Sequence, residues 1–164
     1  MPYTLHRGDA LTALAAVPDS SVDALITDPP WRGIASWHKP VLRPQKGRLK
    51  QFCEYIVWGT KGQVDANRNP VHLPGLYSAS QLRKGRVHIT QRPVDVMQEL
   101  VRICPPDSTV LAPFTDSGTT GVAALREGRT FVGIELSDHY ADIAERRLQG
   151  ALTQGDFELA GPER

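Results

Sequence analysis

The chain has 164 residues, a formal net charge of +1, 40% hydrophobic and 23% charged residues, as expected of one soluble globular domain able to bury a core. No apolar run approaches the roughly 20 residues of a membrane span, and Met1–Arg7 lacks a signal peptide's apolar stretch. Cys53 and Cys104 lie far apart without metal-ligand spacing, so no metal site is expected and a reduced, cytoplasmic protein fits best.

In chain order, Tyr3–His6 reads as a short strand. Gly8-Asp9 opens a helix with Leu11, Leu14 and Ala15 on one face, stopped by Pro18. Val22–Thr27 reads as a buried strand that Asp28-Pro29-Pro30 must end, because neither proline can donate to a ladder. Arg32–Trp37 is expected as a strand, Val41–Gln51 as a basic loop and Tyr55–Trp58 as a further strand. Residues 60–88, rich in Gly, Pro, Asn and Ser, read as an extended loop. Val94, Met97, Leu100 and Val101 stand at helical spacing before Pro105-Pro106.

Thr109–Leu111 is expected as a strand, followed by a small-residue loop from Phe114 to Gly121. That loop leads into a helix through Val122, Ala124 and Leu125, with Gly128 as its C-cap. Phe131–Glu135 reads as a strand. Ser137 then caps a helix whose apolar face is Tyr140, Ile143, Ala144 and Leu148, with 151–164 as a flexible tail. Strands alternating with helices indicate a single α/β domain over 1–150 with a mostly parallel sheet.

Charge is unevenly spread. Arg32, Lys39, Arg43, Lys46, Arg48 and Lys50 occupy an acid-free stretch, and Arg83, Lys84, Arg86 and Arg92 form another. A basic middle between neutral ends suits a polyanion partner, or is a solvated basic loop.

Two segments carry chemistry. In Pro113-Phe114-Thr115-Asp116-Ser117-Gly118-Thr119-Thr120, small residues before a helix allow a ligand close to backbone N–H groups. Glu135 ends the next strand, where a carboxylate can hold both hydroxyls of a ribose; the plainer alternative is a helix-start carboxylate beside Ser137. Asp28-Pro29-Pro30-Trp31 offers a carboxylate and a rigid backbone carbonyl to an amine, with an aromatic ring beside them. Its alternative is a turn after a strand.

These segments, with Gly8-Asp9-Ala10-Leu11, Glu54–Gly62 and His88–Asp95, resemble amino-group DNA methyltransferases of the phage adenine-specific type, in the permuted beta-class order. The resemblance implies a Rossmann-like S-adenosylmethionine (SAM)-dependent fold. It also implies double-stranded DNA with a flipped base as substrate, methylation of adenine's 6-amino group in preference to cytosine's 4-amino group, and a bacterial or phage-encoded source. Asp28, Pro29, Pro30 and Trp31 would grip and stack the base. Thr90, Gln91, Arg92 and Pro93 would meet the methionine end of SAM. Phe114, Asp116, Ser117, Gly118, Thr119 and Thr120 would wrap it, Glu135 would hold its ribose, and Asp9 would lie near its adenine. Target recognition would fall in 38–88.

Three departures stand out. Ala112 replaces the family's aspartate, Asp116 replaces a loop glycine, and a helix-strand-helix segment is missing after Pro30. The Val22–Thr27 strand would then keep an open edge, accept a later strand, or pair with a second copy in a homodimer. Three competing readings follow: a catalytically impaired nucleic-acid-binding remnant, an RNA adenine methyltransferase, and a generic dinucleotide binder. The last is disfavoured by the lack of G-x-G-x-x-G.

Overall fold

A computed structural model describes residues 2–26, 33–40, 46–47, 52–60, 67, 71–79 and 92–159, with the side chains of 154–159 excepted. Four parallel strands form one sheet, in the order β1 (Tyr3–Arg7), β7 (Thr130–Glu135), β6 (Thr109–Ala112), β2 (Ala24–Leu25). Counted from β6, this is the 3-2-1-4 arrangement of a doubly wound sheet with the chain order permuted. A second sheet places β3 (Gly33–His38) between antiparallel β4 (Cys53–Trp58) and parallel β5 (Leu76–Ser78). The fold is therefore α/β and mostly parallel. Among the described residues, no helix is long and apolar enough to cross a membrane.

The main core forms where α2 (Val94–Val101), α3 (Thr119–Arg126) and α4 (Asp138–Leu159) pack on β6 and β7. Val101, Val110, Ala123, Phe131 and Leu148 are fully buried there. Gly121 brings α3 close to the sheet: a Cβ at this position would lie 2.5 Å from Leu148 and 2.6 Å from Phe131. Gly128, at φ +70°, ends α3, and the Arg129 N–H returns to the Ala124 carbonyl.

Several elements differ from their sequence readings. The helix α1 (Ala10–Leu14) turns Ala10, Ala13 and Leu14 towards Leu111 and Ile134, leaving Leu11 in solvent. Of the strand expected over Val22–Thr27, the described part forms β2 at Ala24–Leu25, Thr27 lies outside the described residues, and Leu25 is exposed rather than buried. Its ladder is lengthened by the bonds Asp23 N to Thr109 O and Ile26 N to Leu111 O. The loop expected over 60–88 contains β5, held by its pairing with β3. α4 continues past Gly150 to Leu159, because Ala151 adds to the buried cluster around Leu148.

Among the described residues, no strand pairs with the outer side of β2. The later strands form their own sheet instead of sliding in beside it. The basic run 41–51 falls mostly outside the described residues.

Below the sheet, Glu127 ties α3 to α2. It accepts from Arg102 Nε at 2.9 Å and from Gln98 Nε2 at 3.1 Å. Burial pushes its carboxyl up, but Arg102, Gln98 and Arg129 outweigh this and hold it below the usual carboxylate range. Its contribution is therefore present above the unfolded-state pKa and is lost as pH falls through the folded-state value. Urea unfolding between about pH 5 and 3 is expected to show a shallower loss of stability in Glu127→Gln than in the parent. Identical pH slopes would rule out this linkage.

Candidate functional site

The C-terminal ends of parallel strands share one sheet edge, and here that edge gathers most of the described site residues. Arg7, at the end of β1, pairs in register with Glu135 at the end of β7. Gly8, at φ +137°, donates its N–H to the Glu135 carbonyl at 2.9 Å. Asp9 follows as the N-cap of α1, accepting from the Thr12 N–H at 3.0 Å and the Thr12 hydroxyl at 3.1 Å. The Thr12 backbone bond and then its hydroxyl hold the exposed Asp9 carboxyl below its ordinary range.

Between β6 and α3 the chain makes the small-residue loop. Thr115 folds it inward, donating its hydroxyl to the Ala112 carbonyl at 3.0 Å, while its N–H reaches the Ile134 carbonyl at 2.9 Å. Asp116 adopts φ +50°, the left-handed conformation that a glycine would take without strain. Gly118, at φ +79°, lies so close to α4 that a Cβ would stand 3.0 Å from Ala144. Ser117 and Thr119 are buried, Thr120 is half-buried, and Phe114 is 74% exposed.

The Glu135 carboxylate links this loop to the next helix. One oxygen accepts the Asp116 N–H at 2.7 Å, and the other accepts the Ser137 N–H at 2.9 Å. The helix-start alternative is thus partly realised through Ser137. Each oxygen keeps acceptor capacity for a further donor, because a carboxylate offers about four lone-pair sites.

A cavity of about 360 Å³ opens beside this edge. Ile26, just beyond β2, and Phe114 and Thr120, from the loop, form one side. Val96, Met97 and Leu100 of α2 close another side, while Trp37 and Glu54–Val57 of the second sheet complete the wall together with Arg92. Pro93 is buried and serves as the N-cap residue of α2. Asp28, Pro29, Pro30, Trp31, Thr90 and Gln91 lie outside the described residues.

Three features had no distinct sequence signal. Lys39 belongs to the basic run, yet it is 8% exposed. It is paired with Glu54 and stands 4.9 Å from the centre of the Trp37 ring. Burial first, then Arg92, pulls its ammonium below its ordinary range. Tyr55, 72% exposed, faces the cavity from β4. Arg147 reaches from α4 into the loop, donating to the Ser117 carbonyl, to its hydroxyl at 3.0 Å and to the Thr119 hydroxyl at 3.2 Å.

Residues 31–146 match a family model described as DNA methylase, so the match begins just after Asp28-Pro29-Pro30. The type II methyltransferase M.XycI of Xanthomonas campestris pv. cyanopsidis is 33% identical over 132 residues, which cover 70% of this chain and 43% of the relative. The chain spans less than half the length of the curated relatives it matches. Among solved structures, the M1.HpyAVI–SAM complex gives a TM-score of 0.70 at 22% identity, covering 89% of this chain and 98% of that one. The cytosine-N4-specific PvuII DNA methyltransferase gives 0.71 at 15% identity, covering 98% and 93%.

Glu135→Gln tests the link between loop and strand. Its amide nitrogen would face a backbone N–H that now meets a carboxylate oxygen, so a loss of about 1–2 kcal/mol is expected from urea unfolding. A loss below about 0.5 kcal/mol, the ordinary range for a surface substitution, would show that the link does not hold the loop.

Proposed function

The chain belongs to the N6/N4 DNA methylase family, and on that premise we propose that it transfers a methyl group from SAM to the exocyclic amine of a base flipped out of DNA. Adenine's 6-amino group is the preferred target, with cytosine's 4-amino group second; the Asp28 motif supports this order by family resemblance alone. The observation that carries the reading is the parallel pairing of β2 with β6, through which Ile26 and Phe114 line one cavity. The chain's next carboxylate beyond Ile26 is Asp28.

The described residues fit the donor. The Glu135 carboxylate retains acceptor sites for ribose hydroxyls, and the loop from Phe114 to Thr120 offers small side chains beside the start of α3. Asp9 would lie towards the adenine, and Arg92 with Pro93 towards the methionine end, together with Thr90 and Gln91. When bound, SAM supplies an electrophilic methyl group on a sulfonium.

The protein's part is to hold the amine. An exocyclic amine is a weak nucleophile because its lone pair is delocalised into the ring. Asp28 and the backbone carbonyl at Pro29 would accept its hydrogens and free that lone pair, and Asp28 would receive the proton released after transfer. Trp31, with Tyr55 and Phe114 facing the cavity, would present aromatic surface to the extruded base. No covalent enzyme intermediate is needed, and the catalytic contribution is positioning. The outer side of β2, unpaired among the described residues, would suit pairing with a second copy. A bacterial or phage-encoded methylation system is the proposed setting.

Ala112 favours a second reading. It is 2% exposed at the end of β6, where the family carries a carboxylate. On this reading the chain keeps a nucleic-acid-binding role without turnover. Calorimetry with SAM separates the two: absence of heat at millimolar SAM would leave only the second.

Asp28→Ala is expected to reduce tritiated-methyl transfer into unmethylated DNA by at least about 100-fold. Affinity for SAM should stay within about 3-fold of the parent, which is under 1 kcal/mol. Equal losses of transfer and binding would overturn the role given to Asp28.

A further inference from the structure

We propose that Arg147 of α4 is a positioning residue for the donor loop, holding Ser117 and Thr119 in the conformation that receives SAM; this rests on the reading of residues 114–120 as the SAM loop.

The geometry is specific. One guanidinium nitrogen, Nη1, serves three acceptors: the Ser117 carbonyl, the Ser117 hydroxyl at 3.0 Å and the Thr119 hydroxyl at 3.2 Å. Nη1 carries two N–H bonds, so at least one of them is shared between acceptors. Ser117 is 1% exposed and Thr119 8% exposed, so water is poorly placed to replace the guanidinium. Without it, a buried carbonyl and two buried hydroxyls would lose a charged donor.

Arg147 also stands in the field of the residue by which the loop departs from the family pattern. Asp116 brings a negative charge to a glycine position, with φ +50° and Oδ1 buried. Burial pulls the Arg147 guanidinium below its ordinary range, and the Asp116 carboxylate acts in the opposite sense. The guanidinium and the carboxylate therefore act on one another electrostatically across the loop. Arg147 holds the loop from the α4 side, as Glu135 holds it from the strand side through the Asp116 N–H.

The test compares Arg147→Ala, Arg147→Lys and the parent. Two readouts are used: calorimetric SAM affinity and amide hydrogen exchange of the protein without ligand. Arg147→Ala is expected to weaken SAM at least about 10-fold, or 1.4 kcal/mol. Exchange at 115–120 should accelerate while β7 stays protected. Arg147→Lys, which keeps a cation with three donors, is expected to recover most of both losses. Parent-like SAM affinity in Arg147→Ala would overturn the proposal, as would faster exchange spread evenly over β6, β7 and α3. A lysine variant no better than alanine would also overturn it, provided it shows the parent's far-ultraviolet circular dichroism. If the parent itself binds no SAM, the SAM reading fails, while the exchange comparison still decides whether Arg147 fixes the loop.

Discussion

Parallel strands in one sheet must end on the same edge, and this molecule is organised by that constraint. β7 places Glu135 on the edge, β6 delivers the loop that begins at Pro113, and β2 leads through Ile26 towards Asp28. β1 adds Gly8, whose N–H is tied to the Glu135 carbonyl. No step of chain order brings these segments together, since residues 26 and 114 are far apart in sequence. The ladders between neighbouring strands do so. The Glu135 carboxylate then fixes the loop locally, with one oxygen on the loop and one on the approach to α4.

The cost of the shortened architecture falls on β2. In a doubly wound sheet the strand at this position continues to a further neighbour. Here, among the described residues, Ala24–Leu25 is the last member, Leu25 lies in solvent, and β3, β4 and β5 form a separate sheet. The cavity lies between these two units, walled by α2 on one side and by Trp37 and β4 on the other. The two segments of the proposed chemistry therefore rest on different supports: residues 114–120 on a well-packed sheet and helices, and the chain leading to Asp28 on the two-residue strand β2.

Much of this was legible in the sequence where local pattern and tertiary packing agree. Val94, Met97, Leu100 and Val101 mark α2 because one helical face meets the core. Phe131–Glu135 and the loop before α3 were readable for the same reason, and the positive φ at Asp116 matches the glycine that the family resemblance expects there. The misreadings have long-range causes. β5 lies among turn-forming residues and exists through its pairing with β3. Leu11 looks like a core residue, but a helix as short as α1 packs through Ala10, Ala13 and Leu14 instead. Lys39 looks like a solvated cation until Glu54 and Trp37 are folded against it. Arg147 is one of two consecutive arginines on a polar helix, and only the fold shows which of them points into the loop.

A shared cleft at the strand ends is tested most directly by amide chemical-shift mapping during a SAM titration. The predicted result is a contiguous set of shifted resonances at Phe114–Thr120, Glu135–Ser137 and Ile26, with little change around Glu127 at the opposite end of the sheet. Shifts confined to that opposite end, or to the exposed face of β3 and β4, would contradict it.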